Sequence, residues 1–304
     1  MKHVRNLPAS VRQRLLDRAR KDKRPFNELL QYYAMERFLY RLARSAHAGR
    51  FILKGALMLR VWRSPEIRPT MDIDMLGRTN NDVGSIVAQI REIMAVDVEA
   101  DGLVFDPASI QAERITEDAD YEGIRIRLRG LLDTARVTLQ IDIGFGDIIY
   151  PGPEESDLPA MLDFPAPRLF CYSRESAIAE KFEAMVKLGI LNSRMKDFYD
   201  IWLLSRQFDF DGASLAEAIR LTFERRETPL TAAIDAFGES FVEAKQIQWT
   251  AFWRRLQHEH VPASFHEVVA AVAVFLAPLA SALSQGHPVS GSWAAPGPWS
   301  SIRP

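Results

Sequence analysis

Asp72 and Asp74 stand one residue apart in the run TMDIDMLG, flanked by Met71, Ile73, Met75 and Leu76. On a strand, residues i and i+2 share a face, so both carboxylates project together while Ile73 turns into the core. Two like charges so close cost free energy unless a cation lies between them. A hard divalent ion such as Mg²⁺ takes one or two carboxylates together with substrate phosphates. The other reading of a lone Asp-x-Asp is an exposed, solvated alternation, and the surroundings must choose between the two.

Upstream, Gly55-Ala56-Leu57 opens an apolar run (Leu57, Met58, Leu59, Val61, Trp62) that suits a helix. A glycine at a helix start allows close backbone approach, and free N–H groups there favour a phosphate. Lys54 adjoins it. Glycine, small residue, helix, then a strand with Asp-x-Asp resembles the layout of the polymerase-beta-like nucleotidyltransferases.

The elements that must hold these residues follow from periodicity. Residues 8–22 suit a helix begun by Pro8 and Ser10, with Val11, Leu15 and Ala19 on one face. Residues 26–46 form a longer helical pattern in which Arg37, Arg41 and Arg44 recur about one turn apart. That row either tracks phosphates or faces water. Residues 80–95 read as a helix capped by Asn80 or Asn81, and Gly102–Asp106 as a short apolar strand. Ile124–Leu132 alternates with its arginines outward, and Val137–Phe145 alternates too, with Asp142 the acid on its polar face. If that strand lies beside the Asp72 strand, Asp142 is a third carboxylate at a metal site; otherwise it is an edge-strand solubility residue.

Residues 150–170, with Pro151, Pro153, Pro159, Pro165 and Pro167, read as a connection. Beyond them the pattern is helical. Ser173 begins a helix with capping character. Its buried stripe is Ile178, Phe182, Met185 and Val186, and Lys181 falls beside that stripe, where a lysine commonly snorkels to water. After Gly189, Asn192-Ser193-Arg194 starts the next helix, whose first turn carries Lys196 and Asp197. A carboxylate there is favoured by the helix dipole. Residues 264–283 carry a core-like stripe of Val268, Val272, Phe275, Leu276 and Leu279. Residues 285–304, rich in Gly, Pro and Ser, are expected to form a disordered tail.

Composition is that of a globular protein with a sizeable core. No apolar run is read as approaching the ~20 residues that span a bilayer, and MKHVRNLPASVRQRLL lacks a signal-peptide apolar core. The single cysteine, Cys171, excludes an internal disulfide, which makes a cytoplasmic location the default. The formal net charge is −2, yet residues 1–50 hold thirteen Lys or Arg against four Asp or Glu. That surplus suggests a polyanionic partner for the N-terminal part or a solvated helix face. His258-x-His260 lacks the spacing and acidic neighbours of a metal pair.

The pieces LKGALML, RPTMDIDMLG, LQIDIGFGD, IAEKFEAMVKLG and NSRMKDFYDIWLL resemble the motif series of the AbiEii/AbiGii toxin family. The resemblance runs from about residue 8 to about residue 280 and includes LTFERRETPLT (221–231). These are nucleotidyltransferase-like toxins of bacterial toxin–antitoxin and abortive-infection (phage-defence) systems, with the mycobacterial MenT toxins as relatives. The resemblance implies an α+β fold: a polymerase-beta-like mixed sheet with N-terminal helices and a C-terminal helical domain. It divides the chain into a basic helical segment (1–50), a nucleotidyltransferase core (51–170), a helical domain (171–284) and the tail.

The same resemblance gives roles residue by residue. Gly55 matches the motif glycine, Thr70 the Ser/Thr before the aspartates, and Asp72 and Asp74 the metal-binding pair. Lys181 matches the functional lysine, Asp197 the essential acid, and Asp142 the third acid. Beside these matches, Lys54, next to Gly55 where the family more often has a glycine or serine, is expected at the nucleotide, and Arg194 and Lys196, close to Asp197, near triphosphate or RNA. The implied reaction is Mg²⁺- or Mn²⁺-dependent transfer of a nucleoside monophosphate from an NTP to an RNA acceptor, with the tRNA 3′ end leading, and a cognate antitoxin as partner. Transfer to a protein hydroxyl and a non-catalytic RNA- or antitoxin-binding module are the alternatives. Thr70 is also a position where a phosphate would repel nucleotide phosphates.

Overall fold

Asn6 accepts the backbone N–H of Ala9 and Pro8 sits in the first turn, which together start α1 (Leu7–Asp22). α2 (Phe26–Arg44) follows, and every residue from Leu29 to Leu42 is buried. A helix covered on all sides belongs to a core rather than to a surface; α2 packs against β5 (Ala135–Phe145), β7 (Arg168–Cys171) and α4 (Val83–Met94). The computed structural model describes residues 6–64, 68–117, 121–256, 258 and 260–300. Residues 1–5 of the basic segment and 301–304 of the expected tail lie outside them.

The sheet has seven strands in the order β3-β4-β5-β2-β1-β7-β6. The remaining strands are β1 (Phe51–Lys54), β2 (Asp72–Gly77), β3 (Leu103–Glu117), β4 (Tyr121–Leu132) and β6 (Glu154–Asp157). β2 runs parallel to β5 and β1 parallel to β7, while the other neighbours are antiparallel. Alternation places Ile124, Ile126, Leu128, Leu139, Ile141 and Ile143 in the core, each contributing about 1.5–3 kcal/mol of burial. The fold is the mixed α+β sheet that the sequence implied.

Several local expectations are corrected. The helix after Gly55 is a 3-10 turn, Gly55–Leu57, followed by one turn, α3 (Met58–Val61). α4 is capped by Asp82, whose carboxylate accepts Ser85 N–H. The strand at Leu103 is 15 residues long, continuing to Glu117 through a bulge between Asp106 and Gln111. The proline-rich connection contributes β6 and β7 to the sheet.

The chain forms two units: residues 1–146 with 153–172, and residues 147–152 with 173–304. The N-terminal helices thus belong to the sheet unit. The second unit holds α5 (Arg174–Leu188), α6 (Met195–Gln207), β8 (Phe210–Asp211), α7 (Gly212–Arg225), α8 (Glu239–Leu256), α9 (Phe265–Ser284) and β9 (Ser292–Trp293). Arg226 binds Asp147 at 3.0 Å and Glu183 at 2.8 Å, tying residues 147–152 to α5. α9 is long and apolar enough by composition to cross a membrane, contrary to the sequence reading. Its stripe of Val268, Val272, Phe275, Leu276 and Leu279 is buried, and it packs against α6, α7 and α8.

Residues 285–300 are not a disordered tail. β9 pairs with β8, and Trp293 donates its indole N–H to Ser205 O at 2.6 Å. Phe275, Trp293 and Trp299 form a triangle of rings, with centroid distances of 4.8 Å (Phe275–Trp293), 5.6 Å (Phe275–Trp299) and 5.4 Å (Trp293–Trp299). Gly, Pro and Ser shape the turns, while the two tryptophans supply the apolar area that holds them.

Candidate active site

Strand register builds the site of the sheet unit. Antiparallel pairing puts Lys54 opposite Asp74, and the parallel pair sets Asp74 beside Asp142 and Asp72 beside Gln140. Partners at one level share a face, so the four charged side chains converge. Asp72, Asp74 and Asp142 each bring a carboxylate oxygen to within 4.8 Å of the others. The strand pairing that would make Asp142 the third acid is therefore present. An all-oxygen donor set of this size suits a hard divalent cation such as Mg²⁺ or Mn²⁺ and offers nothing to a soft one.

Gly55 is fixed by this arrangement. Its φ is +73°, and a Cβ there would lie 1.9 Å from Asp74 Oδ2; the residue must lack a side chain for β1 to turn past the acid. Because α3 is one turn long, the N–H groups after Gly55 carry little helix dipole. Lys54 is buried at the end of β1, its ammonium 5.7 Å from the Tyr172 ring centroid.

Thr70 donates its hydroxyl to Asp72 Oδ1 at 2.6 Å, and its N–H goes to the Tyr32 hydroxyl at 3.0 Å. Gln31 donates to both Met71 O, at 2.8 Å, and Thr138 O, at 3.0 Å. α2 thus clips together the starts of the two parallel strands that bear the acids. Arg24 and Arg60 lie over the Tyr32 ring, at 5.3 and 4.9 Å. Gln31 and Tyr32 escaped the sequence reading because a polar residue inside a mostly apolar helix carries no mark of its partner.

Two of the three arginines in the α2 row are buried against acids and carbonyls and are not offered to solvent. Arg37 is 1% exposed, pairs with Glu36 at 2.7 Å and donates to Pro165 O. Arg41 is buried in a bidentate pair with Asp101, at 2.7 and 3.2 Å. Arg44 is exposed. Helical spacing alone cannot tell a solvated row from one whose acids arrive from other segments.

In the helical unit, Lys181 reaches from α5 to α6, 3.0 Å from Asp197 and 3.0 Å from Asp200. Arg194 binds the other Asp197 oxygen at 2.7 Å, and Lys196 is exposed in the same turn. Lys181 is therefore held by two carboxylates and does not snorkel. Burial pushes Asp197 up, but Lys181 and Arg194 outweigh it and hold the carboxyl below its ordinary range. The sequence places Asp200 on this helix without assigning it a role; the signal for one is its i, i+3 spacing from Asp197 on one helix face.

Two solved structures from Helicobacter pylori align with most of the chain. A candidate nucleotidyltransferase covers 85% of this chain and 96% of its own, at 14% identity and a TM-score of 0.47. JHP933 covers 85% and 94%, at 13% identity and a TM-score of 0.49. No curated protein matches. The family model of the AbiEii nucleotidyl transferase toxin, type IV toxin–antitoxin system, matches residues 37–271, a span that contains every residue of both charge clusters. The chain belongs to the AbiEii nucleotidyltransferase toxin family.

Proposed function

We propose that this nucleotidyltransferase moves a nucleoside monophosphate from an NTP to an RNA acceptor, the tRNA 3′ end first among them, and so arrests growth in the cytoplasm until a cognate antitoxin opposes it. The observation that carries the reading is the shared face of Asp72, Asp74 and Asp142 in a chain of this family. Asp72 and Asp74 would hold Mg²⁺ or Mn²⁺, which when bound neutralises phosphate charge and aligns the reacting groups. Lys54, Gly55 and Thr70 border the nucleotide, with Thr70 orienting Asp72 through its hydroxyl.

Lys181, with Arg194 and Lys196, binds triphosphate as a set of positive charges. Asp197 orients Lys181. A carboxyl held below its ordinary range by two cations is a poor proton acceptor, so orientation is favoured over general-base work. Asp197→Asn should then weaken nucleotide affinity.

With Arg37 and Arg41 buried, the cationic side chains offered to RNA are sought elsewhere. Arg127 and Arg129 share the sheet face of the acids through the β4–β5 register, with side chains 39% and 64% exposed. If they contact phosphates, removing each should reduce the log–log salt slope of RNA binding by about one.

The test is incubation of the protein with total tRNA, Mg²⁺ and each labelled nucleotide separately, with Asp72→Ala as control. Label entering tRNA, and lost in the control, supports the reading and names the nucleotide. Label entering protein instead would establish a protein hydroxyl as acceptor. Absence of label from both, with growth still arrested, would overturn the transfer reading.

A further inference from the structure

The sheet register sets four charges in one row across four strands: Lys54, Asp74, Asp142 and Arg125. The outermost member had no part in the sequence reading beyond an outward arginine of an alternating strand. Arg125 closes on Asp142 with both arms of its guanidinium, Nε to Oδ1 at 2.8 Å and the terminal nitrogen to Oδ2 at 2.7 Å. Gln140 donates a third hydrogen bond, Nε2 to Oδ2 at 3.2 Å. Arg127 Nε donates to the Gln140 oxygen at 3.3 Å, which fixes the amide so that its nitrogen faces Asp142.

A carboxylate offers roughly four lone-pair positions, and three on Asp142 are taken. Asp142 is 6% exposed, and the Arg125 side chain above it is 29% exposed. A fork-to-fork pair of this kind is among the stronger charge-assisted contacts a protein makes. A cation recruiting Asp142 would have to displace the guanidinium and would meet its positive charge a few ångströms away. Asp72 is placed differently: its Oδ1 accepts a neutral hydroxyl, from Thr70.

We propose that Arg125 sets the cation count of this site. By holding Asp142 in a bidentate pair it withdraws the third carboxylate, leaving Asp72 and Asp74 as ligands for one divalent cation, with Asp142 and Arg125 as a positioning pair beside it. The inference rests on the acid cluster being a cation site, and not on which acceptor is used.

The experiment is a Mn²⁺ titration of the full chain without nucleotide or RNA, following the electron paramagnetic resonance signal of free Mn²⁺. One equivalent is expected for the parent, and affinity within about threefold of it for the double variant Arg125→Met/Asp142→Asn, which removes the pair without changing the net charge of the site. Arg125→Met should release Asp142 and either add a second equivalent or tighten binding about tenfold. That gain should vanish in the double variant Arg125→Met/Asp142→Asn. Two equivalents in the parent, a loss of about tenfold or more in the charge-neutral double variant, or parent-like binding by folded Arg125→Met would each overturn the proposal. Should Arg125→Met fail to fold, the parent stoichiometry and the charge-neutral double variant still decide it. Absence of bound Mn²⁺ would overturn it together with the metal reading, whereas failure to label tRNA would leave the count of bound Mn²⁺ intact.

Discussion

On the sheet, Asp72, Asp74 and Asp142 are drawn together by strand register, and the cations in their row are Lys54 and Arg125. On the helices, Lys181 of α5 lies 3.0 Å from both Asp197 and Asp200 of α6, and Arg194 lies 2.7 Å from Asp197. Both clusters use aspartates with Lys and Arg, yet the first brings three carboxylates to within 4.8 Å of one another where the second closes its carboxylates onto cations in direct ion pairs. Carboxylates gathered so closely favour a bound cation, so these residues answer to a ligand. A closed cluster answers to the fold as well, because removing one partner strands a buried charge. Function and stability should therefore separate across the two.

The largest expected effect is at Asp72. Asp72→Ala should lower transfer about 10³-fold or more, corresponding to several kcal/mol of lost charge stabilisation. Its melting temperature should stay level or rise, because a like-charge contact has been relieved. Transfer assays beside thermal unfolding check this; a protein that melts far lower would break the contrast.

Asp197→Asn should do the reverse in stability, costing about 3 kcal/mol in urea unfolding, since Asp197 is 1% exposed and shares two cations. The pH dependence has a defined sign. A carboxyl held below its ordinary value adds stability that is present above the unfolded pKa and lost as pH falls through the folded one. The gap between parent and variant should therefore begin to close below about 3.8. A gap that stays constant through that range would assign the cost to packing instead.

Gly55→Ala comes next and should affect both properties. A positive φ costs about 1–3 kcal/mol in a non-glycine residue, and the new Cβ would push Asp74 aside. A displacement near 1 Å at a reacting centre costs about 10²-fold. Full activity in Gly55→Ala would show that Asp74 tolerates movement.

The smallest effect is at Tyr32. Tyr32→Phe removes the hydroxyl that accepts Thr70 N–H, worth about 1 kcal/mol. Because Thr70 also holds Asp72, transfer should fall a few-fold while folding changes little. Unaltered turnover would mean that α2 supports the sheet but does not tune the site.

The resemblance in the sequence pointed to Asp72, Asp74, Asp142, Lys181 and Asp197 because each sits in a short motif whose spacing is local. Capping was legible at Ser173, which accepts Ser176 N–H, for the same reason. Illegibility tracked sequence separation. Arg41 and Asp101 are sixty residues apart, and no periodicity within α2 announces that a distant acid will bury the arginine. Gly-, Pro- and Ser-rich composition hid the Trp293 and Trp299 contacts with Phe275, since composition averages away the two residues that bury area.

By itself the sequence determined that two aspartates share one strand face, that a glycine precedes them, and that a lysine-bearing helix is followed by an acid-bearing one. These are consequences of backbone period, which is two on a strand and 3.6 on a helix. Only the tertiary structure decided which acids stay available and which are claimed. Asp142 lies beside Asp74 because β2 and β5 pair in parallel, and it is held by Arg125 because β4 adds its antiparallel register on the other side. Pairing between strands is a long-range choice made by the whole core, and in this sheet it sets the charge of the site.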